Sequence, residues 1–239
     1  MKKFFLCILV LSILGAGTVF AQSVVADDSF ASIGSWRAAG GTWRADGRLT
    51  QADAQAPIAQ IVRQLPQSGV YEVEFTITYA AGGYRSEQDA RRDIYRAGFG
   101  LHIGIDRPSG VLSWGNGNSY LLWVNLDTEV PRTSRHYGLR GQIYRSRTDT
   151  DMTLMDDFNV EILPLAQALD TVGGMLNQAV PVRLRINTND GEVRVYDPTD
   201  PGYYYYFYLE PRLLRGSWIS LRTSKFSAAF RDFRVVQER

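Results

Sequence analysis

The chain of 239 residues has a single cysteine, Cys7, two histidines, His102 and His136, and three lysines, Lys2, Lys3 and Lys225. Cys7 lies in the leading segment, so a chain processed after it has no disulfide, no thiolate nucleophile and no cysteine-ligated zinc. With two histidines, a zinc site would need carboxylates to complete it. Scarce lysine does not mean scarce positive charge. Without Lys2 and Lys3, 24 basic residues, 23 of them arginine, face 25 acidic ones. That balance provides no global attraction for nucleic acid or an anionic membrane. The arginine excess reads either as surface filling or as planar forks set against carboxylate or sulfate groups. Also missing are a Gly-x-Ser-x-Gly elbow, a phosphate-binding glycine loop, a dinucleotide fingerprint and any internal repeat.

What is present begins with a targeting pattern. Lys2 and Lys3 form a basic start, Phe4 to Leu14 an apolar stretch, and Val19-Phe20-Ala21 a small-residue cleavage site before Gln22. Residues 1–21 are therefore expected to be a signal peptide, and 22–239 one exported domain, periplasmic or extracellular. The apolar stretch is short for a membrane span and no comparable one follows, so no membrane insertion is expected after cleavage.

The mature part is punctuated by glycine and dominated by period-two patterning. Val70 to Tyr79 places Tyr71, Val73, Phe75, Ile77 and Tyr79 on one face and Glu72, Glu74, Thr76 and Thr78 on the other. In Ala97 to Ile105, Phe99, Leu101, Ile103 and Ile105 alternate with Gly98, Gly100, His102 and Gly104. That second face lies under another backbone or floors a groove. Ser119 to Leu126, which contains Trp123, and Gly138 to Ser146 read as two more strands, the latter with Arg140, Gln142 and Tyr144 on one face. Met152 to Leu163 is a strand broken at Asp156-Asp157, and Pro164 to Val172 is expected to be a short helix. The charged stretch from Gly82 to Arg96 reads as a solvated loop or a lid.

The clearest local structure is a hairpin: Val182-Leu184-Ile186 and Val193-Val195 flank Asn189-Asp190-Gly191, which supplies the positive φ that a tight turn needs. It leads into six consecutive aromatics, Tyr203 to Tyr208. As a strand, these put Tyr203, Tyr205 and Phe207 on one face and Tyr204, Tyr206 and Tyr208 on the other. Since phenylalanine is the better core residue, the all-tyrosine set is expected to face solvent and ligand.

About a dozen short strands with almost no helix predict an all-β, two-sheet antiparallel sandwich or jelly roll. Asp28-Ser29-Phe30, Trp36, Gly41-Thr42-Trp43, Asp46-Gly47-Arg48-Leu49, the Tyr71-Glu72-Val73-Glu74-Phe75 strand, Ile219 to Thr223 and Ala229 to Val235 together resemble the concanavalin A-like lectin/glucanase superfamily, including its laminin-G-like jelly rolls. The resemblance implies a sandwich whose first and last strands are neighbours and whose concave sheet often holds sugar. On that architecture His102, Trp123, Arg140, Gln142, Tyr144, Arg183, Arg185, Tyr204, Tyr206 and Tyr208 are expected to line one concave surface that stacks on sugar rings and fixes their hydroxyls. The alternative is a tiled sheet surface on which Glu72 and Glu74 pair with Arg183 and Arg185.

Three functions stay open: a glycan-binding protein, a glycosidic-bond hydrolase, and a structural or adhesion component of the cell envelope that meets a protein partner through its aromatic face. A retaining glucanase of the superfamily carries Glu-x-Asp-x-x-Glu or Glu-x-Asp-x-Glu; Glu72-Val73-Glu74 approaches this pattern without the third acid. The strand outline also resembles the 3-keto-disaccharide hydrolase-like family, for which His102 with Asp106, or with an acid from another strand, is the candidate general base. No cofactor is called for. Asp149, Asp151, Asp156 and Asp157 offer the hard oxygens that Ca²⁺ takes, in an order unlike a known calcium loop.

Overall fold

The computed structural model describes residues 22–82, 97–125, 139–163 and 178–238. These residues form β1 (Gln22–Asp28), β2 (Trp36–Gly40), β3 (Trp43–Ala45), β4 (Leu49–Gln51), β5 (Ala59–Gln64), β6 (Val70–Gly82), β7 (Gly98–Ile105) and β8 (Ser119–Asn125). After them come β9 (Leu139–Ser146), β10 (Met152–Leu163), β11 (Ala179–Asn187), β12 (Glu192–Tyr196), β13 (Tyr204–Tyr208), β14 (Trp218–Ser224) and β15 (Phe226–Glu238). Pro211–Leu213 adds one 3-10 turn. The helix expected at 164–172, the charged stretch 83–96 and His136 lie outside the described residues.

Strand pairing sorts these into two antiparallel sheets. The eight-stranded sheet runs β13-β12-β11-β6-β15-β4-β3, with β1 also paired to β15; the seven-stranded sheet runs β10-β9-β8-β7-β14-β5-β2. The first and last strands are neighbours, Gln22 opposite Glu238 and Asp28 opposite Phe233, as the resemblance implied.

Alternation decides what lies between the sheets. On β6, Tyr71, Val73, Phe75, Ile77 and Tyr79 are buried while their even-numbered neighbours are half-exposed. Leu184, Ile186, Val193, Phe230 and Phe233 join them from the same sheet, facing Ile61, Leu101, Ile103, Ile219 and Leu221 of the other. Each fully buried side chain of this size contributes about 1.5–3 kcal/mol. Burial also pushes the Tyr71 phenol far above its ordinary range, and its hydroxyl donates to Gln67 Oε1 at 2.9 Å. The break expected at Asp156-Asp157 is present as a register shift between Leu154 and Asn159 where β10 pairs with β9.

Candidate functional site

The strands that bury Leu184, Ile186 and Val193 present their other residues outward, so Arg183, Arg185, Arg194 and Tyr196 stand on the outer face of the eight-stranded sheet with Glu72 and Glu74. Register aligns them into rows. Arg234 lies opposite Glu74 and Glu74 opposite Arg183; Glu72 lies opposite Arg185, Arg185 opposite Arg194, and Arg194 opposite Tyr206.

The arginines are closed by glutamates of the same face. Arg183 Nη2 donates to Glu72 Oε1 and Oε2 at 3.0 and 2.9 Å, its Nε lies 3.3 Å from Glu74, and its guanidinium sits 4.3 Å from the centre of the Tyr196 ring. Arg185 forks onto Glu238, Nε to Oε1 and Nη2 to Oε2 both at 2.9 Å. Arg194 Nε donates to Glu192 at 2.6 Å and its guanidinium lies 4.7 Å from the Tyr204 ring. At Arg183 partial burial opposes the charge, but the Glu72 hydrogen bonds and charge outweigh it and the pKa rises. The Arg185 and Arg194 pKa values rise through their bonds to Glu238 and Glu192, and the Arg185 fork lowers that of Glu238.

Among the described residues β13 is the edge of this sheet. Its alternation places Phe207 inward, 5.4 Å from Phe158, and Tyr204, Tyr206 and Tyr208 on the outer face in edge-to-face contact at 6.5 and 6.3 Å. Tyr206 is 63% exposed. Beside Tyr204, 5.6 Å from it, is Tyr196, and next to Tyr196 opens a cavity of about 360 Å³.

Pro181, Pro198 and Pro201 wall the cavity, and Glu74, Asp197 and Asp232 supply carboxylates. Asp232 sits at φ 53° where β15 bulges against β6 between Arg231 and Arg234, and a bulge re-aims side chains. The Thr199 hydroxyl and backbone N–H donate to the Asp197 carboxylate at 2.6 and 2.7 Å and hold its pKa below the usual range.

The remaining residues assigned to the single surface lie elsewhere. His102, Trp123, Arg140, Gln142 and Tyr144 belong to the seven-stranded sheet, whereas Arg183, Arg185 and the tyrosines belong to the eight-stranded one. The expectation of one shared concave face is thus corrected: period two says which residues share a strand face but not which sheet the strand enters.

The seven-stranded face is also covered. His102, Trp123, Gln142 and Tyr144 are 0, 2, 2 and 4% exposed. Trp114 meets Trp123 edge-on at 5.6 Å and lies 4.9 Å from the Arg222 guanidinium. Arg222 donates to the Trp114 carbonyl at 2.6 Å and to that of Ser113. The glycines fit beneath this cover: a Cβ on Gly100 would stand 2.7 Å from the Trp123 ring.

Neither ring nitrogen of His102, nor Trp123 Nε1, has a hydrogen-bond partner among the described residues. Burial first, and the Arg222 charge second, hold the His102 pKa well below its ordinary value. The expected His102–Asp106 pair does not form, because the Asp106 carboxylate accepts from Arg107 and Asn118 N–H groups at 2.7 and 3.0 Å. Arg140 donates twice to Asn159 at 2.6 Å, Gln142 donates to the same residue at 3.1 Å, and the Tyr144 hydroxyl donates to Gln142 at 3.0 Å. Among the described residues no group of three or more His, Cys, Asp and Glu gathers as a metal cage. Asp149 Oδ1 accepts from Gly117 N–H at 3.3 Å and Asp151 lies 3.9 Å from Arg147.

Reasoning from sequence missed Arg194 and Tyr196, which parity with Val193 and Val195 places outward, and Glu238, at the end of the last strand. It also missed Asp232 and Pro198, which only a bulge and a turn bring to the cavity.

No family model and no curated protein sequence matches this chain. Among solved structures it is similar to the Ca²⁺-bound VIP36 exoplasmic/lumenal domain, at 10% identity and TM-score 0.59 over 90% of each chain. It is similar to a lectin from Bauhinia forficata in complex with GalNAc, at 10% identity and TM-score 0.53 over 92% of this chain and 99% of that one. A Bacillus subtilis protein of unknown function with a galectin-like fold is similar at 14% identity and TM-score 0.52, over 92% of this chain and 100% of that one. The likeness is one of fold alone: the chain shares with these structures a two-sheet antiparallel β-sandwich of the concanavalin A-like kind.

Proposed function

We propose that this is an exported glycan-binding protein whose ligand lies on the outer face of the eight-stranded sheet, in the cavity beside Tyr196 and along Tyr204, Tyr206 and Tyr208. The cavity of about 360 Å³ carries the proposal. A sugar ring is amphipathic, so its C–H face needs an apolar wall and its hydroxyls need polar groups at the rim. Pro181, Pro198, Pro201 and Tyr196 supply the wall, and Glu74, Asp197 and Asp232 supply acceptors. The exposed tyrosines extend the site for a longer chain, and a lectin with bound GalNAc among the similar folds supports the reading.

A glycan array probed with the protein lacking residues 1–21 tests it. We expect at least one glycan to bind, with affinity falling by about tenfold in Tyr196→Ala, a loss of about 1.4 kcal/mol. His102→Leu, on the opposite sheet, leaves binding in place. If no glycan binds, and the protein elutes as an assembly that Tyr206→Ala breaks up, the aromatic face serves a protein partner instead. For export, N-terminal sequencing of protein recovered from the periplasm or medium of a bacterial host should begin at Gln22; an intact Met1 in that fraction would refute the cleavage proposal.

A further inference from the structure

Resting on the glycan reading above, we infer that the ligand of this face is an uncharged glycan and that the face turns away uronic-acid and sulfated chains.

The arginines look at first like anion traps. Three of them share the outer face of β11 and β12, and a guanidinium fork matches carboxylate and sulfate geometry. At Arg183 and Arg185 the distances say that this capacity is already used. Arg185 spends Nε and Nη2 on Glu238, both at 2.9 Å, and Nη1 lies 3.8 Å from Glu192. Arg183 spends Nη2 on Glu72 at 2.9 and 3.0 Å and Nε on Glu72 and Glu74, each at 3.3 Å. Arg194 is anchored to Glu192 at 2.6 Å.

At Arg183 or Arg185 an incoming carboxylate would have to expel a glutamate from its fork. The exchange replaces one charge-assisted pair by another and leaves the expelled glutamate beside the ligand, a like-charge contact that disfavours the anionic partner. The cavity itself is lined by the acidic Glu74, Asp197 and Asp232 and the basic Arg183 and Arg234, three negative charges against two positive. An uncharged sugar meets no such opposition. Its hydroxyls donate to carboxylate oxygens whose remaining lone pairs stay available when an arginine takes one side, and its C–H faces lie on Tyr196 and the prolines.

The experiment compares wild type with Glu72→Gln/Glu238→Gln by affinity electrophoresis in neutral β-glucan, mannan and galactan, and in polygalacturonate, alginate and heparin, at low and at 0.5 M added salt (roughly a 4 Å screening length). We expect retardation of wild type by at least one neutral polysaccharide and by none of the polyanions. Removing the two glutamates opens the Arg183 and Arg185 forks, so the double variant should gain polyanion binding by about tenfold or more, and added salt should abolish the gain. Thermal unfolding verifies that the variant is folded; if it is not, Glu238→Gln alone, at the end of β15, gives the same readout. Preferential polyanion binding by wild type, or no gain in a folded variant, overturns the inference and leaves the glycan reading standing. Absence of binding to all six polysaccharides, and to the array above, overturns both.

Discussion

Among the described residues, His102 is the one histidine, and its burial opposes its protonation. It is fully buried, its ring nitrogens have no hydrogen-bond partner among the described residues, and Arg222 is the charge that acts on it. On its own strand it stands between Gly100 and Gly104; across the sheet it faces Leu121 of β8 and Ser220 of β14. The unfolded imidazole takes up a proton near its ordinary value of 6.5, whereas the folded one is held well below it. The unfolded state therefore binds more protons, and stability falls as pH drops below about 6.5. Between pH 7.5 and 5.5 the loss should be about 1.4 kcal/mol, read as a shift in the urea midpoint at constant m. His102→Leu should lack this loss, and an equal loss in the variant would rule His102 out as its source. Further acidification brings a second loss, because Glu238, lowered in the fold by Arg185, must then be protonated. Only part of this residue's setting was legible in sequence. Alternation singles out His102 as the polar member of a glycine face, but the missing side chains do not say what fills their space, and the filler is Trp123 from the next strand under Trp114. Glu72 and Glu74 differ in that respect. Parity of two long strands made their pairing with Arg183 readable, but the pairing expected at Arg185 is corrected: although it lies opposite Glu72, Arg185 forks onto Glu238 of the last strand.

Among the elements, the hairpin of β11 and β12 was the most legible, since two alternating runs flank a turn sequence. Its geometry differs in detail: within the turn, Gly191 alone has positive φ, at 88°, while the Asn187 and Asp190 side chains accept from Asn189 and Glu192 N–H groups at 3.0 and 2.9 Å. Gly191 is also the junction with β13. Its carbonyl accepts from Leu209 N–H at 2.9 Å, its N–H donates to Asn187 O at 2.9 Å, and a Cβ would stand 1.9 Å from the Leu209 carbonyl oxygen. Gly191→Ala should therefore cost about 2–3 kcal/mol, lowering Tm by roughly 4–12 °C, and should loosen β13 and the tyrosine row with it. A Tm change below about 2 °C would show that the turn relaxes freely. The aromatic strand's parity was readable from period two, but the expectation that its Tyr203-Tyr205-Phe207 side fills the core is corrected: Phe207 packs on Phe158, whereas Tyr203 and Tyr205 are 52 and 51% exposed because the strand lies at the border of the sheet. That it forms an edge was not readable, because edge or centre depends on what fails to pair with a strand, and no local pattern in Tyr203 to Tyr208 carries that information.

At the scale of the whole molecule, the sandwich class follows from many short alternating strands, yet the assignment of strands to sheets does not. β6 and β7 are consecutive and enter different sheets, while β6 pairs with β11 and β15 from the far half of the chain. The Asp28-Ser29-Phe30 and Trp36 signature that carried the superfamily resemblance has a physical basis in how the two sheets are joined. Asp28 ends β1 of the eight-stranded sheet. Its Oδ2 accepts from Trp36 Nε1 at 2.9 Å and from Arg63 Nη1 at 3.0 Å, both on the seven-stranded sheet, and its Oδ1 accepts from Phe30 N–H at 2.8 Å, fixing a fully buried residue at φ 55°. Trp36 and Arg63 are themselves a cross-strand pair with the guanidinium 5.8 Å from the indole. One carboxylate thus ties both layers at this end of the sandwich. Asp28→Ala removes three hydrogen bonds and leaves a mostly buried guanidinium without its counter-charge, a loss of about 3 kcal/mol, which for a chain of this length lowers Tm by roughly 6–12 °C. Asp28→Asn keeps the Phe30 bond and should lose less. In a double-mutant cycle with Arg63→Met, the coupling between the two sites should exceed about 1 kcal/mol; additive losses would mean that the two sheets are held at this end by the aromatic packing of Phe30, Trp36 and Phe233 alone.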